Sequence, residues 1–213
     1  LNNSRYNPLA AYLYQLTGSI DKLRNYPISI LTNLVHWLAE QPFETSVDRR
    51  NLLVVFDKII DASSAKDSLR SKIPRDIIRL MIGLAAPTSG DSIYDPCFGT
   101  AGLLTASIDY VLHNENQKNA RYFSAGLKIS GVELMPSIYI IGMTRLGLAG
   151  LNDPQLECGN SLERTPLANP QLEGFDVVLA NPPWGGKVKM DNRYGLEHYP
   201  VMTTDSTGLF IQH

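Results

Sequence analysis

From Ser92 onward, short apolar segments alternate with longer segments of helical periodicity. Four of the short segments are typical of strands in length and apolar content, at residues 92–95, 127–133, 155–158 and 175–180. Helix-like patterns separate the first three, at residues 100–111 and 136–149. Strands that alternate with helices form a parallel sheet with helices packed against it. The sequence therefore predicts an α/β fold with a doubly wound, mostly parallel sheet of the Rossmann-like type.

The first part of the chain carries only helical patterns. Residues 27–40 and 46–60 each place their apolar side chains on one stripe of an amphipathic helix. Pro74 precedes a further stripe that continues to Leu84, and proline is well tolerated at the start of a helix. We interpret these stripes as core-packing faces of helices.

The sequence also predicts a division of the chain. Residues 61–71 are polar and serine-rich, which is typical of a linker. We therefore expect a helical region over residues 1–70 and an α/β domain over residues 71–213. Residues 207–213 read as the start of another helix, so we expect the sheet of this domain to be incomplete on its C-terminal side.

Composition excludes several classes of protein. Hydrophobic residues make up 44% of the 213 residues, which is enough to bury a core, and the net charge of −2 argues against a free-standing nucleic-acid binder. Cys97, Cys158 and the four histidines show no metal-ligand spacing or disulfide framework, so we expect no metal and a reducing, cytoplasmic environment. No segment resembles a signal peptide or a membrane span, so we expect no membrane partner.

A tight loop follows the first predicted strand. It reads Asp-Pro-Cys-Phe-Gly-Thr-Ala-Gly over residues 95–102, and its glycines let the backbone approach a ligand at a helix N-terminus. The G-x-G-x-x-G and Walker A patterns of phosphate-binding loops are absent. A leading carboxylate at Asp95 instead suits a nucleoside that carries an amino acid, whose ammonium it can pair. A purely structural turn is the alternative interpretation.

Polar side chains also follow the second and third predicted strands. Glu133 ends the second strand, where a carboxylate can accept hydrogen bonds from both ribose hydroxyls, although most such residues are simply solvated. Asn160 and Ser161 end the third strand. The Asn160 amide could bind an adenine ring, or it could serve only its own turn.

The tetrapeptide Asn181-Pro182-Pro183-Trp184 follows the fourth predicted strand directly. Pro182 forces Asn181 into an extended conformation, and the two prolines fix the backbone beyond it. The Asn181 amide oxygen and the Pro182 carbonyl are both acceptors, so together they suit the two hydrogens of a substrate amino group. Such acceptors stabilise the positive charge that develops on the nitrogen as a methyl group arrives.

Trp184 adds an aromatic face beside these acceptors. An enzyme cannot reach the amino group of adenine inside a duplex, so the base must be extruded and stacked on such a face. The alternative is a Pro-Pro turn with a tryptophan that caps the core. The order of Asp95, Glu133 and an apolar strand before the tetrapeptide favours the functional interpretation.

These residues resemble the amino-methyltransferases that carry a D-P-x-x-G-x-G loop and an [N/D]-P-P-[aromatic] tetrapeptide. More narrowly, residues 74–213 are similar to the modification subunit of type I restriction-modification systems, a DNA adenine-N6 methyltransferase. The matching segments are residues 74–81, 94–104, 131–134, 159–162 and 175–187. The resemblance implies S-adenosylmethionine as cofactor, double-stranded DNA as substrate, and separate specificity and restriction subunits as partners.

The resemblance also assigns roles to individual residues. It implies that the cofactor is bound by the loop and by the ends of the next two strands, through Asp95, Pro96, Gly99, Thr100, Gly102, Glu133, Asn160 and Ser161. It implies that Asn181, Pro182, Pro183 and Trp184 hold the target base. Ala101 stands where the family usually has a second loop glycine, and we expect its methyl group to narrow the approach to the cofactor.

Two other functions remain open from the sequence. The same tetrapeptide serves enzymes that methylate amino groups in RNA or glutamine amides in proteins. A non-catalytic assembly module is the second alternative, because the chain is not basic and shows no target-recognition segment.

Overall fold

The computed structural model describes residues 51–58, 73–114, 127–151, 154–163, 174–187, 199–201 and 203–213. Its strands are β1 (Ser92–Asp95), β2 (Lys128–Glu133), β3 (Gln155–Cys158) and β4 (Val177–Val178). Its helices are α1 (Arg75–Ala85), α2 (Gly102–Asn114), α3 (Pro136–Leu148) and α4 (Ser206–Gln212), with a 3₁₀ turn at Ser161–Glu163. Residues 51–58 are also helical.

The four strands form one parallel sheet in the order β3-β2-β1-β4. Asp95 lies opposite Gly131 of β2, and Ile93 lies opposite Val177 of β4. The chain therefore steps outward from β1 to β3 and then returns to the other side of β1. Ligands of such sheets bind outside the carboxyl ends of the strands at the point where the order reverses. The predicted α/β class with a parallel sheet is confirmed, and that point lies between β1 and β4.

The hydrophobic core lies between the sheet and the helices α2 and α3. Leu104 and Ile108 of α2 are 0% and 1% exposed, and they cluster with Ile93 of β1 and Ile129 of β2. Burying one such side chain contributes roughly 1.5–3 kcal/mol. Because β1, β2 and β3 follow one another in the same direction, right-handed crossovers place α2 and α3 on the same face of the sheet. This packing holds the carboxyl end of β1 in place.

Two predicted elements differ in length from those observed. Helix α2 begins at Gly102 instead of residue 100, because Ala101 has a φ of 60°, which a right-handed helix excludes. The strand expected over residues 175–180 is only Val177–Val178, because the Asp176 carboxylate instead accepts the Ser92 N–H at 2.8 Å.

The helical prediction for the first part of the chain is tested only in part. Residues 51–58 are helical, with Leu52, Leu53 and Phe56 half-buried on one side. The stripe at residues 27–40 and the linker at residues 61–71 lie outside the described residues, so the division of the chain at residue 70 stays a prediction. Among the described helices, none combines the length and the apolar content that a membrane crossing requires.

Candidate active site at the carboxyl ends of the strands

The loop between β1 and α2 folds back over the end of β2. The Phe98 N–H donates to the Val132 carbonyl at 3.2 Å, and the Gly99 N–H donates to Glu133 Oε2 at 3.0 Å. Gly99 has a φ of 56°, a left-handed conformation that glycine adopts without steric cost. These bonds join the two predicted cofactor-binding carboxylates, Asp95 and Glu133, to one loop.

Two glycines outside the loop make room for it. A Cβ at Gly142 would lie 2.7 Å from the Gly99 carbonyl oxygen and 2.7 Å from the Phe98 ring, and a Cβ at Gly131 would lie 2.8 Å from the same ring. Phe98 is therefore held in a slot between β2 and α3, where it is 4% exposed. Nothing in the sequence marks this slot in advance, since neither glycine belongs to a recognisable motif.

Asp95 is the buried charged group of the loop. It is 1% exposed, and its Oδ1 accepts the Cys97 N–H at 2.9 Å. Burial raises the pKa of Asp95 to about 7, with a smaller contribution from the charge of Glu133, against the lowering effect of the hydrogen bonds from Cys97. A cationic group on a ligand would stabilise the ionised carboxylate. This is the behaviour expected of a group that pairs with an ammonium.

Glu133 has acceptor capacity to spare at the end of β2. Its Oε1 accepts the Met135 N–H at 2.8 Å, and its Oε2 accepts the Gly99 N–H. Each carboxylate oxygen can accept a further hydrogen bond. The half-buried side chain is thus fixed in position and still able to bind a pair of hydroxyls.

Asn160 and Ser161 lie beside this group, at the end of β3. The Gly159 N–H donates to the Glu133 carbonyl at 2.9 Å, which brings the two strand ends together. The Asn160 side chain serves its own turn, with Oδ1 accepting the Leu162 N–H at 3.1 Å, while Ser161 is 3% exposed. Their contact with an adenine ring stays a prediction.

The expected effect of Ala101 on cofactor approach is wrong. Ala101 is 0% exposed and belongs to the hydrophobic core, so its methyl group does not narrow the loop. The cost of alanine at this position lies in its left-handed backbone, at about 1 kcal/mol. Burial of the methyl group offsets a comparable amount.

Thr100 and Gly102 contact an arginine that the sequence analysis did not single out. Arg145 of α3 donates from Nη1 to the Thr100 carbonyl at 3.3 Å. A Cβ at Gly102 would lie 3.6 Å from the same Nη1, so glycine leaves room for the guanidinium. Helix α3 therefore supports the second half of the loop, from Phe98 to Gly102.

The tetrapeptide enters the site directly from β4. The Leu179 N–H donates to the Tyr94 carbonyl at 2.9 Å, so the chain runs beside β1 until two residues before Asn181. Asn181 and Pro182 are half-buried, and Trp184 is 77% exposed. An exposed ring at this place is the opposite of a tryptophan that caps the core. The structure therefore contradicts the alternative in which Trp184 caps the hydrophobic core.

Cys97 connects the loop to the tetrapeptide. Its thiol lies within hydrogen-bonding reach of the Asp95 carboxyl group and of the backbone N–H of Asn181. Burial and the charge of Asp95 raise the pKa of this thiol, which keeps it protonated. Asp95, Glu133 and Asn181 thus lie together at the switch point, and Pro96, next to Asp95 in the loop, is buried.

Comparisons with known proteins agree with this arrangement. The family model described as N-6 DNA methylase matches residues 62–213. The methylase subunit of the type I restriction enzyme EcoEI from Escherichia coli is 29% identical over 189 residues, which are 86% of this chain and 37% of that protein.

Solved structures give the same result. One, from Vibrio vulnificus YJ016, is assigned as the modification subunit of a type I restriction enzyme. It matches with a TM-score of 0.65 and 27% identity over 85% of this chain and 38% of that one. A chain of a type I restriction-modification complex, at 24% identity, shares the fold with a TM-score of 0.69 over 86% of this chain and 37% of that chain.

The chain spans well under half the length of these relatives. The fold is that of the Rossmann-like S-adenosylmethionine-dependent methyltransferases. The match of the family model over residues 62–213, which include every residue of the site, shows that the chain belongs to the N-6 DNA methylase family.

Proposed function

We propose that this chain supplies the cofactor-binding and catalytic residues of a DNA methyltransferase that transfers a methyl group from S-adenosylmethionine to N6 of adenine. The observation that carries the proposal is the junction between the Asp95 loop and the tetrapeptide. The Cys97 thiol lies within hydrogen-bonding reach of both Asp95 and Asn181, and Leu179 pairs with β1, so the groups for the cofactor and for the target base lie side by side.

The residues present fit S-adenosylmethionine. Asp95 is a buried carboxylate with a raised pKa. The ammonium of the cofactor would stabilise its ionised form and so lower that pKa. Glu133 can accept the two ribose hydroxyls while keeping its bonds to Gly99 and Met135. Asn160 and Ser161 follow the adjacent strand, where the adenine ring would lie. When bound, the cofactor supplies an electrophilic methyl group on a sulfonium centre.

The tetrapeptide would then prepare the target amine. The Asn181 amide oxygen and the Pro182 carbonyl accept its two hydrogens, which draws the conjugated nitrogen toward a tetrahedral geometry and frees its lone pair. They also stabilise the positive charge that develops on that nitrogen. The exposed ring of Trp184 would stack the extruded base. Neither acceptor is a strong base, so the surplus proton leaves to solvent.

The proposal extends to partners and location. The net charge of −2 gives the chain little of the phosphate-binding capacity of a DNA-binding protein. The Escherichia coli and Vibrio vulnificus relatives are subunits of type I restriction enzymes. We therefore propose that double-stranded DNA is bound together with a specificity subunit, that a restriction subunit joins the complex, and that the complex acts in the cytoplasm.

The direct test uses the full-length protein with its partner subunits and tritiated S-adenosylmethionine. We expect label in N6-methyladenine after incubation with duplex DNA. If parallel incubations with protein and RNA give label only on one of these, DNA is not the substrate. Failure of a folded sample to bind the cofactor in calorimetry would favour an assembly module over an enzyme.

A further inference from the structure

Two hydroxyl groups converge on the carbonyl oxygen of Pro183. Ser206 Oγ donates to it at 3.1 Å, and Thr207 Oγ1 donates to it at 3.4 Å. Ser206 is 5% exposed while Pro183 lies at the surface, so the bond between them is partly buried. Both residues belong to the first turn of α4, well beyond the tetrapeptide in sequence. They tie the third residue of the tetrapeptide to a separate helix.

This bond matters because the two prolines limit the backbone hydrogen bonds that the tetrapeptide can donate. Proline has no N–H, so Pro182 and Pro183 cannot donate a backbone hydrogen bond. At one end, the Asn181 N–H lies within hydrogen-bonding reach of Cys97 Sγ, and Leu179 pairs with Tyr94 of β1 two residues earlier. At the other end, the Pro183 carbonyl accepts from Ser206. The two acceptors assigned to the substrate amine lie between these anchors.

The contact between α4 and the residues just after the tetrapeptide is closely fitted. The Ser206 N–H donates to the Gly186 carbonyl at 2.9 Å. A Cβ at Gly186 would lie 2.8 Å from Ser206 Oγ, closer than real Cβ atoms approach their neighbours. Position 186 therefore admits only glycine while Ser206 keeps its place.

Helix α4 is itself a fixed support. The Asp205 carboxylate accepts the Gly208 N–H at 3.1 Å, which caps the first turn. Leu209 is 1% exposed and packs with Leu162 and Tyr199. Leu162 lies in the 3₁₀ turn that follows Asn160. The same cluster therefore supports the end of β3 and the hydroxyls that hold the tetrapeptide.

We propose that Ser206 is a positioning residue for methyl transfer, whose hydroxyl fixes the Pro183 carbonyl and so the direction of the Pro182 carbonyl and the Trp184 ring. The inference rests on the proposed function of the tetrapeptide. It predicts an effect on the transfer step, because a small displacement of a positioned acceptor is costly there and not in cofactor binding.

The test compares Ser206→Ala with Ser107→Ala. Ser107 is also buried, at 0% exposed, and its Oγ donates at 3.0 Å to the Leu103 carbonyl of its own helix. In the full-length protein with its partner subunits, Ser206→Ala should lower kcat about tenfold, which corresponds to the loss of one hydrogen bond. The dissociation constant for S-adenosylmethionine should stay within about twofold of wild type. Ser107→Ala should change neither value.

A second variant tests the close contact between Gly186 and Ser206 by changing Gly186. Gly186→Ala should displace Ser206 and lower kcat to a similar extent. In the double variant Ser206→Ala/Gly186→Ala, the loss should be close to that of either single variant, because both disturb the same contact. Losses that multiply to about a hundredfold would contradict the proposal.

Fluorescence anisotropy of Trp184 supplies a readout that does not depend on activity. 5-Hydroxytryptophan placed at position 184 by codon suppression is excited apart from ordinary tryptophan, so it reports this ring alone in the full-length protein. Ser206→Ala should lower the anisotropy, and Ser107→Ala should not. Unchanged kcat and anisotropy with a lower melting temperature would assign Ser206 to stability alone. If wild type fails to methylate DNA, the proposed function is wrong and the anisotropy alone decides the role of Ser206.

Discussion

Arg145 and Asp57 form an ion pair with a nitrogen–oxygen distance of 2.9 Å, across 88 residues of chain. The two side chains are only 15% and 23% exposed, so solvent screens the pair weakly. Arg145 also donates to the Thr100 carbonyl of the loop after β1. One guanidinium therefore joins the helical segment at residues 51–58 to the proposed cofactor site.

Asp57→Asn should lower the free energy of unfolding by about 1–3 kcal/mol, because it leaves the Arg145 charge without its counter-ion in a shielded place. Urea denaturation measures this change. The matched control is Asp76→Asn, since Asp76 pairs with Arg79 at 3.4 Å while the two side chains are 91% and 80% exposed. The control should have little effect, because exposed pairs contribute little. Equal effects in the two variants would contradict the role of the Arg145 pair.

Asp95 should make stability depend on pH. Its pKa is raised by burial to about 7, so between about pH 4 and pH 7 the folded state keeps a proton that the unfolded state has lost. The folded state then binds more protons, and the free energy of unfolding should fall as the pH rises through this window. The full effect is on the order of 4 kcal/mol, and Asp95→Asn should remove it. A variant with the same pH profile as wild type would contradict this assignment.

The same group should make cofactor binding depend on pH. An ammonium pairs with the ionised form of Asp95, so the affinity for S-adenosylmethionine should rise with pH and level off above about pH 7. Below that pH, binding should release a proton. Calorimetry in buffers of different ionisation enthalpy measures the release. An affinity that does not change between about pH 5.5 and pH 8 would show that Asp95 does not pair with the cofactor.

Asn181→Ala should reduce methyl transfer by about 10²- to 10³-fold, as expected for the loss of a transition-state acceptor. Cofactor binding should be nearly unchanged, because the amide belongs to the group that holds the target base. Single-turnover transfer and calorimetry separate the two effects. Asn114→Ala, at an exposed position at the end of α2, is the control. Full activity of Asn181→Ala would exclude the proposed mechanism.

Trp184→Ala should weaken the binding of DNA that presents an extruded base by about 1–3 kcal/mol, the value of one base–aromatic stack. Trp184→Phe keeps an aromatic face and should retain most of the affinity. Because the ring is 77% exposed, neither variant should change the melting temperature appreciably. The fluorescence of 2-aminopurine at the target position reports extrusion. An equal loss of DNA affinity in Trp184→Ala and Trp184→Phe would argue against stacking of the base on the ring.

The sequence by itself determined the succession of elements and the residues of the candidate site. Local periodicity predicted β1 and β3 with the bounds observed, because their apolar runs are short and lie between clear turn residues. The tetrapeptide and the Asp95 loop were evident because proline restricts the backbone and glycine permits conformations that other residues avoid. Both effects act over a few residues and can be read without a structure.

Only the tertiary structure decided how the site is held together. Asp57 meets Arg145, Cys97 meets Asn181, and Ser206 meets Pro183, all across long stretches of sequence. A single serine, cysteine or arginine forms no sequence pattern from which its distant contact can be predicted. Cys97 and Asn181 lie close because the order β3-β2-β1-β4 puts the ends of β1 and β4 side by side, and the other two contacts depend on how helices pack around the sheet. The tetrapeptide provides the acceptors, and packing around that edge fixes where they point.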